Sequence, residues 1–187
     1  MKKVLAIILT GLAFFIPNKA TAEEISMSDK KVLVAYFTLT HNTEKAAKII
    51  AKETGGDLYQ IELVTPYPSE YKEQTELAKK ELADGTLPPI KPWPENIGEY
   101  DVVFIGSPVW WGTMATPVRT FLASGALKGK TVIPFVTHGG GGADNSFTDT
   151  AKLCEGCNVI TDGWSGYSRM TIGLEKWAKK SLENAAQ

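Results

Sequence analysis

Residues 31–47, KVLVAYFTLTHNTEKAA, constrain the fold more than any other part of this chain. Val32, Leu33, Val34, Ala35, Tyr36 and Phe37 form an apolar stretch rich in strand formers and too short for a core helix. That pattern predicts a strand buried on both faces. The stretch stops abruptly at residues 38–43, where hydroxyl and amide side chains dominate, and from Glu44 the spacing becomes helical, with Ala46, Ala47, Ile49 and Ile50 facing inward. A buried strand that passes through a hydroxyl-rich turn into a helix aims unpaired backbone N–H groups and the positive end of the helix dipole at one small volume. A phosphate suits that volume.

The remainder alternates strand and helix. Gly55 and Gly56 end the first helix as a C-cap, and residues 58–64 (LYQIELV) predict a second strand. After a turn at residues 65–68, Ser69 is placed to cap a helix over 70–82, with Gly85 beyond its end. Pro88, Pro89, Pro92 and Pro94 stiffen the loop around Trp93. Further strands are predicted at 102–106, 131–136 and 159–161, and helices at 116–122, 144–153 and 171–184, the last with Ile172, Leu174, Trp177, Ala178 and Leu182 inward. Five strands joined by helical crossovers make a doubly wound α/β domain over residues 31–187, a parallel sheet covered on both faces.

Residues 1–22 differ in composition. Lys2 and Lys3 precede an apolar segment over 4–16, followed by Pro17 and the triplet Ala20-Thr21-Ala22. This is the layout of a signal peptide cleaved after Ala22, too short for a membrane span, and it leaves residues 23–30 as a short tail. Without it the chain carries 17 basic and 21 acidic residues, a net charge of −4. The expectation is an exported protein, periplasmic or secreted, with no stable membrane span once the leader is removed. No basic stretch tracks a nucleic-acid backbone. Paired lysines in place of twin arginines predict export as an unfolded chain, so a cofactor would join after translocation.

Sheets of this type bind ligands beyond the carboxyl ends of their strands. The first such loop reads Thr38-Leu39-Thr40-His41-Asn42-Thr43, the next Ser107-Pro108-Val109-Trp110-Trp111-Gly112-Thr113, and the last Thr137-His138-Gly139-Gly140-Gly141-Gly142. Hydroxyls and amides, exposed indoles and bare backbone together describe a site for a planar aromatic ring with a phosphate tail. Singly, each has a plainer reading: Thr40 or Asn42 as a helix N-cap, the tryptophans as core or interface, the glycines as a linker. Convergence at one end of one sheet favours the site.

Residues 31 to about 182 resemble the flavodoxins, in particular flavodoxin-like proteins whose second loop reads P-x-W-W-G. The first loop of that family is S/T-x-T-G-N-T, and here His41 stands where glycine is usual. The resemblance implies a strand order of 2-1-3-4-5 and bound flavin mononucleotide (FMN). The hydroxyls of Thr38, Thr40 and Thr43, with Asn42 and the N–H groups of the loop, Leu39 and His41 included, would hold the phosphate without an obligatory cation. Ser107, Pro108, Val109, Trp110, Trp111 and Gly112 would line the flavin, one indole stacked on it and the other supporting the wall. Gly112 would let the backbone approach or turn toward the flavin N5. Thr137, His138, Gly139 and Gly140 would close the pyrimidine side with main-chain donors. The protein would tune and the cofactor would do the chemistry.

Several readings stay open. The protein is either a carrier that docks with a redox partner protein or a reductase passing electrons from NAD(P)H to a quinone-like acceptor; −4 offers little steering for a carrier. A flavodoxin-fold binding module without cofactor is a third reading, motivated by His41. His41 itself is either an added phosphate donor or a solvated loop residue. His138-Gly139-Gly140-Gly141 looks like an esterase oxyanion loop, but residues 163–167 (GWSGY) lack the last glycine of a nucleophile elbow. Cys154 and Cys157 form a C-x-x-C between a helix and a late strand, a position that suits a short disulfide in an oxidising compartment better than a thioredoxin-like motif. Two cysteines and two histidines in different loops make no zinc site.

Overall fold

A computed structural model describes residues 30–185. The expected signal peptide and residues 23–29 of the expected tail lie outside them. Strand β1, Val32–Tyr36, is buried along its whole length. It pairs in parallel with β2, Asp57–Gln60, on one side and with β3, Val102–Trp110, on the other. Beyond β3 lies β5, Thr131–His138, also parallel. The fifth position is shared by two pieces. β6, Asn158–Val159, pairs with Thr131 and Val132, and β7, Trp164–Tyr167, pairs with residues 135–138. The order β2-β1-β3-β5-β6 is the expected 2-1-3-4-5, with β4, Thr113–Met114, as an antiparallel appendage of β3.

Successive residues of β1 feed two cores. Val32, Val34 and Tyr36 join Phe104 and Ile133 under α1, Asn42–Thr54, and α5, Leu174–Ala185. Leu33, Ala35 and Phe37 join Ile105, Val132 and the apolar face of α3, Thr116–Ala123. Helices α2, Tyr71–Asp84, and α4, Ser146–Leu153, flank α3. Each fully buried large side chain in these layers contributes roughly 1.5–3 kcal/mol. At Gly106, in the middle of β3, an added Cβ would lie 2.2 Å from Cζ of Phe135, so that ring occupies the space any side chain would need.

Four sequence expectations are corrected. The second strand ends at Gln60, because residues 62–64 pair with the proline-rich segment instead: Val64 N–H donates to Pro89 O and Lys91 N–H to Glu62 O. The late strand at 159–161 is replaced by β6 and β7, and the GWSGY segment is sheet edge. The helix at 70–82 is capped by Glu70, whose side chain accepts from Glu73 N–H at 2.9 Å, rather than by Ser69. Ile172, expected inward, is 78% exposed, because α5 starts only at Leu174. Cys154 and Cys157 are joined by a disulfide where α4 ends.

Candidate functional site

The first loop turns from β1 into α1 through His41, which holds a left-handed backbone at φ 62°, ψ 8°. That is the conformation glycine adopts at least cost, and histidine is among the residues that tolerate it. The His41 ring leans on α1, with Nδ1 2.6 Å from Oε2 of Glu44. Hydrogen bonds from Lys48 and His41 hold the Glu44 carboxyl below its usual range. Thr38 and Thr43 are buried, whereas Leu39 and Thr40 are exposed. Among the described residues, no acceptor is placed on the backbone N–H groups of residues 39–44. This is the unspent donor set of a helix N-terminus.

The second loop is a tight hairpin. Trp110 pairs with Thr113, and the two residues between them, Trp111 (φ 51°) and Gly112 (φ 79°), both adopt left-handed backbone, as a type I′ turn requires. The two indoles separate. Trp110 packs edge-on against Phe37 and Tyr67, with centroids 5.6 and 5.5 Å apart. Trp111 is 56% exposed, donates from Nε1 to Thr75 O at 3.3 Å, and lies under Lys79 Nζ at 5.0 Å. Ser107 is buried inside the hairpin base, where its hydroxyl accepts from Ala115 N–H at 2.9 Å. Thr113 donates to Asp149 Oδ2 at 2.6 Å and accepts from Arg119 Nη1 at 3.1 Å. Partial burial raises the Asp149 carboxyl, but hydrogen bonds from Thr113 and Lys152 and the Arg119 charge outweigh this and leave it lowered.

The third loop leaves β5 at His138, whose Nδ1 accepts from the N–H groups of Gly140 and Gly142 at 3.1 and 3.2 Å. Nδ1 is therefore unprotonated in this arrangement, with the ring edge-on to Tyr167. Gly139 and Gly140 are exposed, with open space where a Cβ would stand. The loop is tied to the first by Thr43 and Thr137, whose buried hydroxyls lie 2.9 Å apart, and to the second by Asn145 N–H donating to Gly112 O at 3.0 Å.

A cleft of about 270 Å³ opens between these elements. It is lined by Leu39 and Thr40 of the first loop, by Pro108, Val109, Trp110 and Trp111 of the second, and by Tyr71, Gln74, Thr75 and Ala78 of α2. The glycines of the third loop do not line it. No lining side chain is acidic, so an anionic tail meets no carboxylate there. The α2 wall is absent from the sequence reading. Its signal is the spacing of residues 71, 74, 75 and 78 on one helical face, which the weakly apolar composition of α2 obscures.

A family model described as Flavodoxin matches residues 31–181. The chain belongs to the flavodoxin family. Solved structures agree: a candidate flavoprotein from Bacteroides eggerthii is 38% identical, with 84% of this chain and 98% of that chain covered and a TM-score of 0.71. A second from Bacteroides uniformis is 31% identical, over 80% and 98% of the two chains, with a TM-score of 0.68. A flavoprotein from Lactobacillus acidophilus, solved in complex with FMN, is 25% identical, over 80% and 99%, with a TM-score of 0.64. In flavodoxin terms, the first and second loops of this chain share one cleft, and the third is tied to those loops by the Thr43–Thr137 and Asn145–Gly112 hydrogen bonds without lining it.

Proposed function

We propose that this chain is an exported electron carrier that holds FMN at the carboxyl ends of β1, β3 and β5. That it is an FMN-binding flavodoxin-like redox protein follows from its family and from its likeness to the FMN-bound Lactobacillus acidophilus flavoprotein. One observation supports this placement above the others: Thr40 and the tryptophan pair meet across a single cleft, next to a set of unspent N–H donors. FMN, when bound, supplies reversible electron transfer.

The protein's part is to bind, orient and shield. The N–H groups of residues 39–44 and the Thr40 hydroxyl take the phosphate. Buried Thr38 and Thr43 shape that loop from behind, and Asn42 carries its amide at the helix start. In the P-x-W-W-G loop, Trp111 is the exposed cover, tied to α2 through Thr75, and Trp110 the packed support, since only Trp110 rests on Phe37 and Tyr67. Ser107 and Thr137 hold the second and third loops in place from buried positions. His138 gathers the glycine loop, leaving Gly139 at the open edge. The leader-like residues 1–22 support a periplasmic or secreted location.

The low net charge favours a second reading, an NAD(P)H-dependent quinone reductase, because a carrier gains encounter rate from a strong single-signed field. Purified protein titrated with FMN is expected to show a flavin spectrum and saturation at micromolar concentration or below. Failure to bind at that level removes both redox readings. NAD(P)H oxidation in the presence of a quinone would replace the carrier with the reductase.

A further inference from the structure

We propose that Arg169 supplies a cationic partner for the flavin phosphate, an ion contact absent from the threonine-rich loop itself. The inference rests on the FMN reading above. Arg169 lies in the turn that follows β7, far from the first loop in sequence. That turn is held at four points: Met170 N–H donates to Tyr167 O, Ser168 N–H to His138 O at 2.8 Å, Lys45 Nζ to Arg169 O at 3.1 Å, and Arg169 Nε to Asn42 Oδ1 at 3.2 Å. Ser168 adopts φ 51°, a costly backbone for serine that the surrounding bonds sustain. The turn is thus fastened to the first loop, to α1 and to the third loop together.

Among the cations around Asn42, the guanidinium keeps the most donors to spare. His41 and Lys48 both engage Glu44, the carboxylate of the first helical turn. Lys45 gives one of its three donors to the Arg169 carbonyl, which holds the turn against α1. Arg169 has five N–H donors, of which the structure gives one a partner, Asn42, and among the described residues no carboxylate pairs with it. The remaining donors lie beside the first residue of α1, where the unspent N–H groups of residues 39–44 converge. A phosphate taken by those N–H groups meets a planar fork suited to two of its oxygens. The cation would make binding depend on the phosphate itself, separating FMN from riboflavin.

The test compares Arg169→Gln and Arg169→Lys with the wild type, reading FMN and riboflavin dissociation constants by flavin fluorescence at low and high salt. Loss of a charge-assisted contact is expected to weaken FMN roughly ten-fold in Arg169→Gln. Riboflavin affinity stays unchanged, and the salt dependence of FMN binding becomes shallower. Arg169→Lys, keeping charge without the fork, falls between. Equal weakening of FMN and riboflavin, or a lowered urea midpoint that accounts for the loss, would reduce Arg169 to a structural clamp and overturn the proposal. So would an unchanged FMN constant in Arg169→Gln. If the wild type itself fails to bind FMN, the underlying reading falls first and carries this one with it.

Discussion

The hydrogen bond between Thr43 and Thr137 offers the sharpest test of how the first and third loops are coupled. Both residues are almost wholly buried, at 1% and 4% exposure, and their hydroxyls are 2.9 Å apart. Replacing either threonine by valine keeps the shape but leaves the other hydroxyl buried without this partner, a loss of about 1–2 kcal/mol. Replacing both removes the pair together, and the cost largely disappears. With a urea dependence of about 2 kcal/mol per molar, each single variant should lower the unfolding midpoint by roughly 0.5–1 M. The double variant should sit close to the wild type, giving a coupling energy of about 2–4 kcal/mol in a double-mutant cycle, the sum of the two single losses. Additive losses, with the double variant weaker than either single one, would refute the idea that these loops are joined by a shared buried hydrogen bond.

Reduction of the Cys154–Cys157 disulfide, which closes a ring of only four residues, should cost about 2 kcal/mol by chain entropy, read as a lower urea midpoint with reductant or in the double serine variant. An unchanged midpoint would mean that the loop is equally ordered without the bond. Asp149, whose carboxyl is lowered in the folded protein, contributes stability that is present above the ordinary carboxylate range and is lost as the pH falls through it. Thermal unfolding between about pH 5 and pH 3 should therefore fall less steeply for Asp149→Asn than for the wild type. Parallel profiles would argue against its role in holding Thr113.

Much of the sheet was legible because burial on both faces writes itself as continuous apolar runs, as in residues 32–37, 102–106 and 131–136. The hairpin was not, since Trp111 reads as an aromatic and not as a turn residue; only its pairing context forces it into left-handed backbone. β7 was hidden by Gly163 and Gly166, which weaken a strand signal. At Gly166 the glycine is required, because an added Cβ would stand 2.0 Å from the Trp164 ring. The α2 wall and Arg169 were beyond reach for another reason. Their relation to the loops is set by crossover geometry and by a turn more than a hundred residues from Asn42, and no local period carries that information. His41 shows the converse, since its departure from glycine flagged a position whose left-handed backbone the fold does impose.

The broken outer strand bears on how this chain behaves at high concentration. The interior strands β3 and β5 run for nine and eight residues, but the margins of the sheet offer only four in β2, two in β6 and four in β7. A neighbouring copy seeking to extend the sheet finds no long straight ladder of vacant amides among the described residues, and short interrupted margins are a known defence against such growth. Once the domain has folded, that geometry leaves a second copy little edge to pair with, whether or not the cofactor is in place.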